Sequence, residues 1–348
     1  MSTHAKQPAC HSSGAGRHWY QRKVWWAVAG SLIAATLSLA LSALKPFVAA
    51  YWEYLRMMAW PLGIGLTVGG LIERYVPKEY ITTFLARPKK RTVFYAAGLG
   101  FIASACSHGI LALSMELHKK GASGPAVISF LLASPWSNLP LTFLIIGFFG
   151  AKGILIIVSA IVIAIVTGLV FQKLDRLGWI ERNRHTLASE GSFDVLADIR
   201  RRMSAWRFSF SALREDILSV VRAVFSLSEM ILGWVVFGIV MASLAQAYIP
   251  SHFFHNYLGP NLPGLLTTLA FATVLEVCSE GTAPLSFEIY RQTSALGNSF
   301  VFMMAGVITD WTEIGLVGSN LGKKTAFWLL VVGIPQILLL GYLFNKLF

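Results

Sequence analysis

The chain has 348 residues, of which 55% are hydrophobic and 13% charged, with a net charge of +12 and a mean hydropathy of +0.61. A soluble domain carries about 25% charged residues, so the composition excludes a soluble protein with buried helices and indicates an all-α polytopic membrane protein. The basic residues fall in short runs between apolar stretches, a topology signal that excludes nucleic acid as the partner, and three cysteines are too few for a disulfide framework.

Nine long charge-free stretches occur: 24–44, 57–72, 92–115, 125–151, 153–172, 230–251, 256–275, 292–309 and 325–345. About 20 apolar residues cross a bilayer. Residues 1–23 form a polar tail with Lys6, Arg17, Arg22 and Lys23, expected in the cytoplasm. Its His4, Cys10, His11 and His18 fit no zinc spacing, and a disordered tail is expected. The stretch 24–44 is too long for a signal-peptide core and reads as an uncleaved first span. With its outside loop it occupies 24–54.

A second span is expected at 55–73, with Pro61 near its entry. The following loop carries Lys78, Arg87, Lys89, Lys90 and Arg91 and belongs in the cytoplasm. So does the basic linker 173–216, which contains Arg200-Arg201-Arg202 and is too short for its own core. Three apolar stretches lie between these two loops, and an odd number of crossings cannot return a chain to one side. One stretch must therefore fail to cross. The best candidate is 92–120, folded as a re-entrant hairpin with its turn at Cys106-Ser107-His108-Gly109, since both ends are basic. A half-helix of about thirteen residues at 1.5 Å each passes the midplane of a ~30 Å core. Spans at 125–149 and 153–172 complete this half, the first interrupted by Pro135 and Pro140 near Asn138.

The second half repeats the plan in the opposite sense. A span is expected at 222–248, then an outside loop 249–261 without Lys or Arg, then a hairpin at 262–292 turning at Cys278-Ser279-Glu280-Gly281. Spans at 296–320 and 325–345 follow, separated by Lys323-Lys324. The expectation is seven full spans and two hairpins, in two repeats of inverted topology at 55–172 and 217–348.

The repeat is written in the residues. A shift of 172 superposes Cys106 on Cys278, Ser107 on Ser279, Gly109 on Gly281, Leu113 on Leu285, Ser114 on Ser286, Glu116 on Glu288 and Asn138 on Asp310. Tyr75-Val76-Pro77 likewise parallels Tyr248-Ile249-Pro250. A period near half the length marks a duplication, whereas solenoid repeats run about 20–50 residues.

Inverted repeats with broken helices place a binding site near the midplane. The half-helix after each turn begins with unpaired N–H groups and the positive dipole end. Gly109 and Gly281 permit the turn and a close backbone approach. Cys106 and Cys278 converge there as a soft-ligand pair, and such a pair prefers thiophilic ions; the plainer reading of either thiol alone is a small buried hydrophobe. Membrane carboxylates are costly and usually functional. Glu280 and Asp310 are therefore candidates for proton coupling, with Glu116 and Glu288 behind them and Glu276 and Glu313 weaker. Met303 and Met304 read as packing. No phosphate-binding loop, His-Glu-x-x-His or Gly-x-Ser-x-Gly occurs, so neither an enzyme nor a cofactor is expected. The expected partners are a small-molecule or ion substrate and the bilayer, with homo-oligomerisation left open.

The chain resembles the predicted-permease family that includes the bacterial organoarsenical efflux permeases. The resemblance rests on Cys106-Ser107-x-Gly109, Gly121-Ala122-Ser123, Phe130-Leu131-Leu132-Ala133-Ser134-Pro135 with Asn138, and Cys278-Ser279-Glu280-Gly281 followed by Pro284-Leu285. It covers most of residues 55–345. It implies an inner-membrane permease linked to export of trivalent arsenicals or other toxic metal species. Many relatives carry Cys-Ser-Cys-Gly in the first motif, where this chain has His108. Cys106, His108 and Cys278 are then the expected ligand set for a metal substrate. Three functions stay open: a transporter of thiophilic species, with substrate between Cys106–Gly109 and Cys278–Gly281 flanked by Asn138 and Asp310; a permease for a small anion held at the half-helix N-termini; and a membrane dithiol redox protein, which needs the two cysteine Cα atoms within about 7 Å.

Overall fold

The computed structural model describes residues 42–75, 92–100, 107–119, 121–181, 183, 210–275 and 279–348. Among them all regular structure is helical. A short 3₁₀ turn at Ser42–Leu44 leads into α1 (Lys45–Tyr75). Next come α2 (Thr92–Gly100), α3 (Ser107–Lys119), α4 (Gly124–Ser137), α5 (Leu139–Phe149) and α6 (Ala151–Leu177). The second half holds α7 (Phe210–Tyr248), α8 (Ser251–Tyr257), α9 (Leu262–Leu275), α10 (Ser279–Thr293), α11 (Leu296–Ile308), α12 (Trp311–Asn320) and α13 (Lys323–Leu347).

Four pairs of helices begin at the repeat interval of 172 residues: α3 and α10, α4 and α11, α5 and α12, and α6 and α13. Packing repeats as well. The fourth helix α4 lies on α2, α3 and α6, while α11 lies on α9, α10 and α13. Matched helices also touch each other, and two of these pairs run antiparallel. In α1 against α7, Glu53 meets Gln246 and Gly70 meets Val224. In α6 against α13, Thr167 meets Gln336 while Trp179 stacks on Trp328.

Helix α6 reads as a membrane helix because it is apolar on every side. On α6, Ile156, Ala160, Ile163, Ala164 and Phe171 are buried, and Ile154, Val158, Val162 and Val166 are exposed. Small residues admit close approach between helices; a Cβ at Gly168 would press on Val93 and Ser129. On α1 the buried stripe is Tyr54, Met58, Leu62 and Leu66, and on α7 it is Leu227, Ile231, Val235 and Ile239. These are the same positions at an offset of 173.

Four stretches are long and apolar enough to cross a bilayer: Ala151–Leu177, Ile231–Tyr248, Leu296–Asn320 and Lys323–Leu347. Two bent pairs raise the number to six among the described residues: α4 with α5, bent by 52°, and α8 with α9, bent by 105°. The expected span at 24–44 and most of the linker 173–216 lie outside the described residues. Helix α1 is not among the six. Its charge-free stretch, 57–72, is shorter than the ~20 residues that a straight crossing takes.

At the linker end of α6, Gly178 takes the left-handed conformation (φ 74°) and stops the helix. Glu181 then accepts from the Lys324 and Thr325 amides, each at 3.1 Å, and from the Thr325 hydroxyl at 3.0 Å. This carboxylate closes the N-terminus of α13. Partial burial raises its pKa, but these hydrogen bonds outweigh that and hold it below the ordinary carboxylate value.

Candidate functional site: two helix breaks that meet

The break between α4 and α5 is local chemistry. Pro135 lies in the last turn of α4, and Pro140 lies in the first turn of α5, where a missing N–H costs nothing. Asn138 between them has extended backbone (φ −66°, ψ 117°) and is the N-cap of α5. Asn is a favoured N-cap residue, yet this side chain caps nothing in its own helix. Instead its Nδ2 donates to Oε1 of Glu280 at 3.1 Å, across 142 residues of sequence.

Glu280 stands in the first turn of α10, where the helix dipole favours a carboxylate. The Ser279 hydroxyl donates to its Oε2 at 3.2 Å. Asn138 and Glu280 are 1% and 2% exposed, and Ser279, Gly281 and Thr282 are buried with them. The start of α5 in the first half and the start of α10 in the second thus share one dry, polar contact. A buried polar group without a partner is expensive, and this pair satisfies both members.

The matched break in the second half separates α11 from α12. Asp310 is its N-cap, with extended backbone, and one carboxylate oxygen accepts from the Thr312 amide at 2.7 Å and the Glu313 amide at 3.1 Å. Helix α12 packs on α3 as α5 packs on α10. Glu313 is buried, its Oε2 has no hydrogen-bond partner, and it lies within electrostatic reach of Asp310 and Glu280. Sequence reasoning rated Glu313 low; the available signal was its place in the first turn after an Asp N-cap.

Glu288 belongs to a different site. It lies eight residues along α10 from Glu280, about 12 Å by helix rise. It is fully buried, paired with Arg291 Nε at 3.0 Å, and accepts from Gln292 Nε2 at 2.6 Å and from the Tyr54 hydroxyl of α1. Arg291 continues to Glu53 at 3.1 Å, and Gln246 of α7 donates to the same Glu53. The network ties α1, α7 and α10 together. Sequence reading missed Tyr54, Glu53 and Arg291. The Glu288–Arg291 spacing, i to i+3, was the one legible sign.

Cys106, Cys278 and Glu276 lie outside the described residues. Ser107, His108 and Gly109 open α3, and Glu116 lies within it; their side chains are outside the description, as is Cys10 of the tail. Met303 and Met304 are fully buried core residues. Among the described residues, no group of three or more His, Cys, Asp or Glu is arranged to hold a metal ion.

The chain is 26% identical over 293 residues to "Putative permease Rv2963" of Mycobacterium tuberculosis, covering 78% of this chain and 70% of that protein. It is 23% identical over 282 residues to the "Putative two-component membrane permease complex subunit" of Streptococcus mutans, covering 80% and 87%. It is 22% identical over 289 residues to "UPF0718 protein YcgR" of Bacillus subtilis, covering 81% and 91%. No solved structure matches. Residues 41–346 match the family described as "Predicted permease", and the chain belongs to that family of integral membrane proteins.

Proposed function

We propose that this permease is a secondary transporter that exports a thiophilic metal or metalloid species, such as a trivalent arsenical, across the bacterial inner membrane. Its N-terminus is cytoplasmic, its two repeats are inverted, and each contributes a re-entrant hairpin. The observation that carries the reading is the Asn138–Glu280 hydrogen bond, which joins a helix break of one half to a half-helix start of the other. The common interval between helix starts and the antiparallel packing of matched helices support inversion. Sites of this construction work by alternating access around a fixed centre.

In this reading Cys106 and Cys278 bind the soft atom, and His108 adds a borderline ligand. Ser107, Gly109, Asn138, Ser279, Gly281 and Asp310 shape the cavity. Glu280 and Asp310 carry the proton that couples export to proton entry. The carboxylates favour this reading over an anion permease. Glu280 stands at the start of α10 and Asp310 at the start of α12, so these two positive dipole ends already face carboxylates. An anion arriving there would meet like charge. The test is export of a trivalent methylarsenical by everted membrane vesicles. Cys278→Ser should lose it while the protein still inserts. Undiminished export by that variant would remove the thiols from the mechanism.

A further inference from the structure

The two halves share a plan but are not packed alike. Helices α1 and α7 correspond at an offset of 173, which matches Gly65 with Gly238. A Cβ at Gly65 would lie 2.8 Å from the Pro140 nitrogen and 2.9 Å from the Leu139 oxygen, so α1 rests on the start of α5. A Cβ at Gly238 would lie 3.0 Å from the Gly281 Cα, so α7 rests on the start of α10. One arm therefore sits on the broken span of its repeat, and the other sits on the hairpin. Among the described residues, α1 makes no comparable contact with α3, nor α7 with α12.

The unequal docking leaves a mark. Gly147 of α5 is covered by Pro61 of α1. Its counterpart on α12 is Ser319, which is exposed and lines a groove of about 450 Å³ with Gly315, Gly318 and Phe327. Trp234, the counterpart of Pro61 on α7, is exposed as well. Among the described residues, repeat 2 thus has an open seat where repeat 1 has α1, and the seat is lined by glycines: no described atom lies within 4 Å of a Cβ at Gly315.

We infer that each arm helix has two alternative seats, and that the protein alternates by exchanging them: α1 moves from α5 to α3, placing Gly65 on Gly109, while α7 moves from α10 to α12, placing Gly238 beside Thr312. This rests on the alternating-access reading above and adds its moving parts. The glycines are needed because each seat is backbone, and a side chain would hold the helices apart. The glycine contacts of the two states correspond with the roles of the repeats reversed, whereas the tie from Tyr54 and Glu53 to Glu288 and Arg291 belongs to this state and is released in the other, since Leu227 and Ser226 stand at the matching positions of α7. The motif glycines acquire a second task, as the surface on which an arm helix closes the site.

The experiment reads position, not transport. Phe237 on α7 and Trp311 on α12 are both exposed, and they correspond to Ile64 and Leu139 of repeat 1, where Ile64 adjoins Gly65 and a Cβ on Gly65 would lie 2.9 Å from the Leu139 oxygen. The double variant Phe237→Cys/Trp311→Cys is oxidised in native membranes, and the 237–311 linked peptide is sought by mass spectrometry. Single variants control for the native thiols. The linked peptide should form although the helices lie apart here, and it should be lost when Ser319→Trp fills the groove. Its absence from folded, inserted protein overturns the proposal, and so does a yield unchanged by Ser319→Trp. Because no substrate is involved, this result stands or falls separately from arsenical export.

Discussion

Helix α10 carries two buried carboxylates that the molecule treats in opposite ways. Glu288 is matched by a full cation, Arg291, and by donors from Tyr54 and Gln292. Glu280 is held by neutral donors alone, Asn138 and Ser279, and among the described residues no Lys or Arg pairs with it. A carboxylate with its own counterion holds together the packing of this state, whereas one held by neutral donors alone is open to a partner from outside the helix. The difference separates the structural end of α10 from the end that faces the helix breaks.

The sharpest way to break this comparison is to remove the cation. Arg291→Ala leaves Glu288 charged and buried, a change that costs about 3–5 kcal/mol in fully buried pairs. A value near the lower end is expected, because the Arg291 side chain is 29% exposed. It should be read as a lowered unfolding midpoint in detergent. Adding Glu288→Gln should recover much of the loss, and a double-mutant cycle would measure the coupling.

Next in size, Tyr54→Phe removes a donor to a charged group, worth about 1.5–3 kcal/mol. Its effect should shrink when Glu288 is already Gln. At the other end of the helix the order of effects reverses. Glu280→Gln should cost under about 1.5 kcal/mol, since one amide oxygen still accepts from Asn138, but it should lose proton-coupled export in the vesicle assay. Equal destabilisation by Glu280→Gln and Glu288→Gln would erase the distinction between the two ends.

The smallest effect lies outside the membrane. Glu181→Ala should cost about 1 kcal/mol, the scale of a lost helix cap. The Glu181 pKa is lowered in the folded protein, so its contribution is present above the ordinary carboxylate pKa of ~4.3. It is lost as pH falls through the lower folded value. The unfolding midpoint of wild type should therefore converge on that of Glu181→Ala at acid pH.

Much of the site could be read from local signals. Pro135, Pro140 and Asn138 are a helix stop, a helix start and a cap, and the chain breaks there for reasons contained in a few residues. The motif residues Ser107 and Ser279 open α3 and α10, in register with the repeat. The long-range partners were harder. Nothing in the order of residues says that Tyr54 reaches Glu288, because the two are 234 positions apart and belong to helices that meet only when the halves assemble. Glu313 was underrated for a related reason: its unpartnered oxygen is a property of its surroundings.

By itself the sequence determined the membrane class, the matching residues of its two halves, the break at Pro135, Asn138 and Pro140, and the residue types there. These follow from composition, periodicity and the backbone limits of Pro, Gly and Asn, which act over a few residues. Only the tertiary structure decided that Asn138 binds Glu280, that Glu288 is neutralised by Arg291, and that Gly65 and Gly238 rest on different seats. Two halves with matching residues offer each arm helix two corresponding surfaces, which differ in the side chains that line them. The choice between them depends on the packing of the whole molecule and is written in neither half alone.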